Sequence, residues 1–178
     1  MLTLGMNSGQ DSIDDLQARI RRLEDERELR DLLARYAFYA DSGRSRRWVA
    51  LFTEDGAIDL GDTVHAMSRS EAPAGYSRRA RFEGHEELLL DFITALPHRR
   101  VEGRSAHHTT SGPLTFELDG DDARAYGYSV MITREDTGFG LEMTAVNRWT
   151  FRRVDGTWRI AERRMRPIGA DDAADLLP

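Results

Sequence analysis

Three side chains in this sequence could move a proton: the neighbours His107 and His108 in "AHHTT", and Asp41 at the end of "RYAFYADSG". An imidazole is the usual general base near neutral pH. It works best beside a group that fixes its tautomer, and a buried carboxylate does that well. Asp41 stands where an anion is poorly placed, because the carbonyl end of a helix carries partial negative charge. A histidine that becomes positively charged beside it would offset that cost. Tyr36, in the same stretch, can donate to a substrate oxygen or simply pack in the core. Asn147, polar in the otherwise apolar "TAVNRWTF", can position a substrate. Trp48, Phe92, Tyr128 and Met143 could line an apolar pocket, with core packing as the plainer role for each.

Much other chemistry is excluded. The chain has no cysteine and no lysine, all 25 of its basic residues being arginine. Thiolate nucleophiles, cysteine-ligated metals, Schiff bases and pyridoxal chemistry therefore drop out. Adjacent strand histidines point to opposite faces, so "HH" is not a chelating pair, and no metal is expected. There is no dinucleotide fingerprint, phosphate loop or nucleophile elbow, and the expected cofactor is none. A net charge of −6 argues against a nucleic-acid partner, although "SRRARF" and "PHRR" are locally basic. No apolar run reaches membrane-spanning length, and "MLTLGMNSGQ" has no signal-peptide core, so a cytoplasmic protein without a membrane partner is expected.

The elements that must position these residues follow from periodicity. With 178 residues, one domain could bury about 70% of its unfolded surface. Ser12 and Asp15 resemble a capping box. Ile13, Leu16, Ile20 and Leu23 follow at helical spacing, and a second stripe (Leu29, Leu32, Leu33, Tyr36, Ala40) is out of phase with the first. The pattern predicts a short helix, a kink near Asp25 and a longer helix to about Asp41. Ser45 is a natural N-cap for "RRWVALF". "AIDL" (57–60) reads as a strand, 61–83 as a loop, and "HEELLLDFITAL" (85–96) as a helix stopped by Pro97. Strand-like runs at 105–118, 123–134, 139–153 and 157–166 are separated by "DGDD", "REDTG" and "VDGT", turn signals typical of antiparallel hairpins. Helices followed by a meander mean α+β, with helices packed on one face of a curved antiparallel sheet that encloses a pocket. The expected organisation is a flexible N-terminus over 1–11, one domain over 12–167 and a tail over 168–178.

Strand parity leaves the choice of histidine open. His108 has the parity of Leu114, Phe116 and Leu118, which look core-facing. His107 points inward if the strand is bulged near Gly112–Pro113, and glycine in a strand is a reasonable bulge signal. The remaining histidines are His65, His85 and His98.

Taken in order, "RELRDLLARYAFYADSGRSRRWVALFTEDGAIDL", "SAHHTTS" and "NRWTFRRVDGTWRIAERRM" resemble the SnoaL-like branch of the nuclear transport factor 2-like superfamily. That resemblance implies the cone-shaped, cystatin-like α+β fold. It also implies an acid–base site like those of scytalone dehydratase, bile-acid dehydratase and hexachlorocyclohexane dehydrochlorinase. Asp41 falls on the family's aspartate and His107, rather than His108, on its histidine. Tyr36 falls on a variable pocket position, and Asn147 on a substrate-contacting asparagine. The departures are Thr133 or Met131 where the dehydratases carry a second titrating group, and Leu60 where scytalone dehydratase carries a tyrosine. The resemblance thus implies a one-base site: a cofactor-independent, dehydratase-like lyase acting on an apolar, cyclic hydroxylated or keto small molecule. The alternatives are a polyketide cyclase or isomerase with the same base, or a non-catalytic binding protein or β-type partner subunit. By analogy, a homodimer or homotrimer joined through the outer sheet face is expected.

Overall fold

The computed structural model describes residues 7–61, 81–94 and 107–178, with the side chains of 7–11, 107–113, Glu135 and Glu142 left out. A single helix, α1 (Asn7–Asp41), is the first described element. At 1.5 Å per residue it is about 50 Å long. It runs unbroken through Asp25, where a kink was expected, and it is already helical at Ser12, which is therefore no N-cap. The two apolar stripes are out of phase because they face different surroundings. Leu29, Leu32, Leu33 and Tyr36 are buried, whereas Ile13, Leu16, Ile20 and Leu23 are exposed. Asp25 stands at the change, accepting hydrogen bonds from Arg153 and from the Trp158 indole.

The end of α1 is fixed by glycine. Gly43 takes a left-handed φ of 66°. Its N–H donates to the Ala40 carbonyl at 3.3 Å, and the Arg44 N–H donates to the Tyr39 carbonyl at 2.9 Å. This is a Schellman termination, and it satisfies two of the carbonyls whose partial charge makes the position of Asp41 unfavourable. The short helix α2 (Ser45–Val49) follows, capped at Arg44 rather than Ser45 and without a side-chain cap bond. It buries Trp48 and Val49, and Phe52 then opens β1 (Phe52–Asp59), earlier than the sequence suggests.

β2 (Arg81–Glu83), not anticipated, leads into α3 (Gly84–Glu87), which widens into a π-helical segment over Leu88–Ile93. Leu88, Phe92 and Ile93 face the core from it. Pro97, expected to stop this helix, lies outside the described residues, as do His65 and His98. The four long strands are β3 (His107–Asp119), β4 (Asp122–Glu135), β5 (Gly138–Val154) and β6 (Thr157–Pro167). Their turns obey local chemistry: Asp155 and Gly156, both at positive φ, form the tight β5–β6 connection.

Among the described residues the curved sheet has the order β2-β1-β6-β5-β4-β3 and does not close. It is mixed rather than wholly antiparallel, because β1 runs parallel to β6. The helices cover one face, where Trp48, Trp149, Phe52, Phe151, Ile58 and Ile160 form the centre of the core. On the other face, Ala173 and Leu176 of the C-terminal segment pack on Val146. Among the described residues no helix is long and apolar enough to cross a membrane.

Candidate functional site

Alternation along β6 is interrupted once, and the interruption creates the site. Phe151 pairs with Ile160 and Thr150 with Glu162, so Ala161 is an extra residue in β6. Trp158 and Ile160 point inward before this bulge, and Arg163 and Met165 after it. A bulge inverts parity in this way. Without it Glu162 would face the core. With it, a guanidinium enters the core at 2% exposure.

Arg163 is held by neutral groups. Its Nε and Nη2 donate to Asn147 Oδ1 at 2.9 and 2.7 Å, and its Nη1 donates to the Tyr36 hydroxyl at 2.7 Å. Nη2 also approaches Ser129 Oγ and Met165 Sδ. Asn147 in turn donates through Nδ2 to Ser129 Oγ at 2.9 Å. The cation lies over the Trp149 ring at 4.6 Å and the Tyr36 ring at 5.2 Å. Among the described residues no carboxylate pairs with it. A buried charge is normally paired. Here the aromatic faces and four uncharged hydrogen-bonding residues take that place.

Tyr36 is the meeting point. Its ring packs against Trp48 at 5.2 Å and edge-on against Trp149 at 4.9 Å. Burial pushes its phenol above the ordinary value of 10.0, against the opposing pull of the Arg163 charge, and the nearby negative charge of Asp41 adds to the rise. The indole N–H groups of Trp48 and Trp149 are buried without a hydrogen-bond partner among the described residues. The Trp48 indole lies close enough to the Tyr36 oxygen to favour the phenolate slightly without forming a hydrogen bond to it. The neighbourhood is rich in donors and poor in acceptors.

The structure brings together Tyr36, Asn147 and Trp48, with Phe92 stacked on Trp48 at 5.8 Å. Met143 and Thr133 are buried in the sheet, and Asp41 is half-buried at the end of α1. Tyr128 is a correction. It is 46% exposed, and the strand's alternation turns its neighbour Ser129 inward instead. Ser129 and Arg163 were not singled out in the sequence, though Met165 counts back by twos to Arg163.

His107 and His108 are the first residues of β3, opposite Ile132 and Met131, and their rings lie outside the described side chains. The Asp41–His107 pairing is therefore outside them too. The register of β3 does slip between Ser111 and Thr115, where Gly112–Pro113 suggested a bulge. His85 is accounted for structurally, its Nε2 lying 3.2 Å from the Phe52 carbonyl. Among the described residues no cluster of histidine and carboxylate side chains could hold a metal ion.

The SnoaL-like domain family matches residues 21–164, most of the chain. The chain belongs to this family. A solved nuclear transport factor 2-like protein with a cystatin-like fold, from Novosphingobium aromaticivorans, is 31% identical, with 98% of this chain and 99% of that one covered and a TM-score of 0.77. A protein of unknown function from Mycobacterium tuberculosis is 24% identical over 91% of this chain and 79% of that one, with a TM-score of 0.63. Aln2 from a Streptomyces species shares the fold at 18% identity, over 81% of this chain and 90% of that one, with a TM-score of 0.64. No functionally curated protein matches the sequence. The SnoaL-like superfamily includes polyketide cyclases and dehydratases, so the family fixes the fold and narrows the chemistry without choosing a reaction.

Proposed function

We propose that this SnoaL-like protein is a cofactor-independent acid–base enzyme, a dehydratase-like lyase acting on an apolar, cyclic molecule that carries a hydroxyl or carbonyl group. The observation that carries this reading is the buried Tyr36–Arg163–Asn147–Ser129 network beside Asp41. Arg163 donates to the Tyr36 oxygen, which leaves the phenolic proton available to a substrate oxygen. Burial keeps that proton in place at neutral pH. In the elimination, His107 removes a C–H proton and the freed electron pair forms the double bond. The C–O bond breaks, and the departing hydroxyl takes the Tyr36 proton and leaves as water. Arg163 stabilises the transient phenolate, which recovers its proton from the imidazolium through solvent. Asp41 holds the His107 tautomer and stabilises the imidazolium.

A positioned base of this kind is worth ~10²–10⁴ in rate. The test is a panel of cyclic hydroxy-ketones, with products followed by mass spectrometry. Loss of water supports the lyase reading, and an isomeric product of unchanged mass replaces it with the isomerase or cyclase. Asp41→Asn and His107→Ala should each lower turnover ~10²–10⁴-fold. Unchanged turnover in His107→Ala with loss in His108→Ala would move the base by one residue. Full activity in both histidine variants would sink the mechanism.

A further inference from the structure

Every residue from Ser12 to Glu24 of α1 is exposed, and Asp25, next along the helix, is tied to its own domain through Arg153 and the Trp158 indole. This solvated arm still carries an ordered apolar stripe. Ile13, Leu16, Ile20 and Leu23 are 50%, 51%, 54% and 67% exposed. Helices of this length are marginal in water on propensity alone, and most helical stability in proteins comes from packing an apolar face.

We infer that the arm pairs with the arm of a second copy of this chain, as a short parallel two-stranded coiled coil. Three features of the arm select that occupant. The spacing alternates three and four residues, the a/d repeat of a coiled-coil seam. Isoleucine holds both a positions (Ile13, Ile20) and leucine both d positions (Leu16, Leu23), the combination that favours two parallel strands. In that register Arg19 takes a g position and Glu24 the following e position. The two pair across a parallel interface on both sides of the two-fold axis.

The seam also ends where it should. The next a and d positions are Arg27 and Arg30, and Arg30 is turned onto the Phe116 ring of its own domain at 4.6 Å. The helices diverge there, and the buried stripe from Leu29 onward takes over. Two heptads bury less than the ~1,000 Å² of a stable interface. The dimer is therefore concentration-dependent. It uses a surface distinct from the outer sheet face, where Tyr128, Phe139 and Leu141 are exposed.

The test is sedimentation velocity on the full chain across a dilution series, with circular dichroism confirming the fold of each variant. Leu16→Glu and Ile20→Glu should abolish the concentration-dependent dimer. Arg19→Glu should weaken it, and adding Glu24→Arg should restore it, because residues five apart do not face each other within one helix. Leu16→Cys, in a chain that otherwise lacks cysteine, should form a disulfide-linked dimer under mild oxidation. A monomer at every concentration overturns the inference. So does a dimer indifferent to Leu16→Glu, or a cross-link that forms only when Leu16→Cys is mixed with Ile20→Cys, which would mean antiparallel arms.

Discussion

The two halves of α1 carry equally regular apolar stripes and meet opposite fates. From Leu29 to Tyr36 the stripe is sealed in the core, while from Ile13 to Leu23 it faces water. Periodicity reports that a helix has an apolar face, and it does not report whose surface covers that face. The phase change at Asp25 is the legible sign of the handover. A kink is one way to accommodate two phases. A straight helix with two different partners is the other, and α1 takes it.

The comparison is broken most directly by truncating the same residue type in each half. Leu29→Ala should lower stability by about 2–5 kcal/mol, because Leu29 is fully buried and the cavity collapses only in part. Chemical denaturation measures it. Tyr36→Phe comes next, at about 1–3 kcal/mol, since it strips a charged donor of its acceptor inside the core. The same variant has a pH signature. The folded phenol titrates above 10.0, so the folded state holds more protons than the unfolded state once pH exceeds that value. Stability is full below pH 10.0 and falls as pH rises through the folded value. Tyr36→Phe should flatten part of that fall, to which Tyr126, raised by burial and Glu117, also contributes. The smallest effect belongs to Leu16→Ala in dilute protein, within about 0.5 kcal/mol of the parent. A larger loss there would mean that the arm packs on its own domain.

The sequence told most about the elements whose signals are local. The long strands and the "DGDD" and "VDGT" turns lie within a few residues of their expected places, because glycine at positive φ dictates a hairpin wherever the chain folds. The parallel β1–β6 pair was hidden, since strand direction is set by the path of the chain between strands. Asp41, Tyr36, Trp48 and Asn147 stood out because polar or aromatic groups in apolar runs are conspicuous. Arg163 did not. Counting forward from Ile160 selects Glu162, and counting back from Met165 selects Arg163. That conflict was itself the mark of the bulge at Ala161. Tyr128 shows the converse: an aromatic ring is no evidence of inward direction when its strand neighbour Ser129 already holds the inner face.

One helix spanning two environments also spans two clocks. Amide protons around the buried Leu29, Leu32, Leu33 and Tyr36 escape only when the whole domain opens. Those from Ser12 to Glu24 depend on fraying of the arm, which costs far less. Hydrogen exchange along α1 should therefore slow from one end to the other, with the step at Asp25. In concentrated protein the arm should slow while the core segment keeps its pace, because mass action reaches only the part of the helix that another molecule can hold.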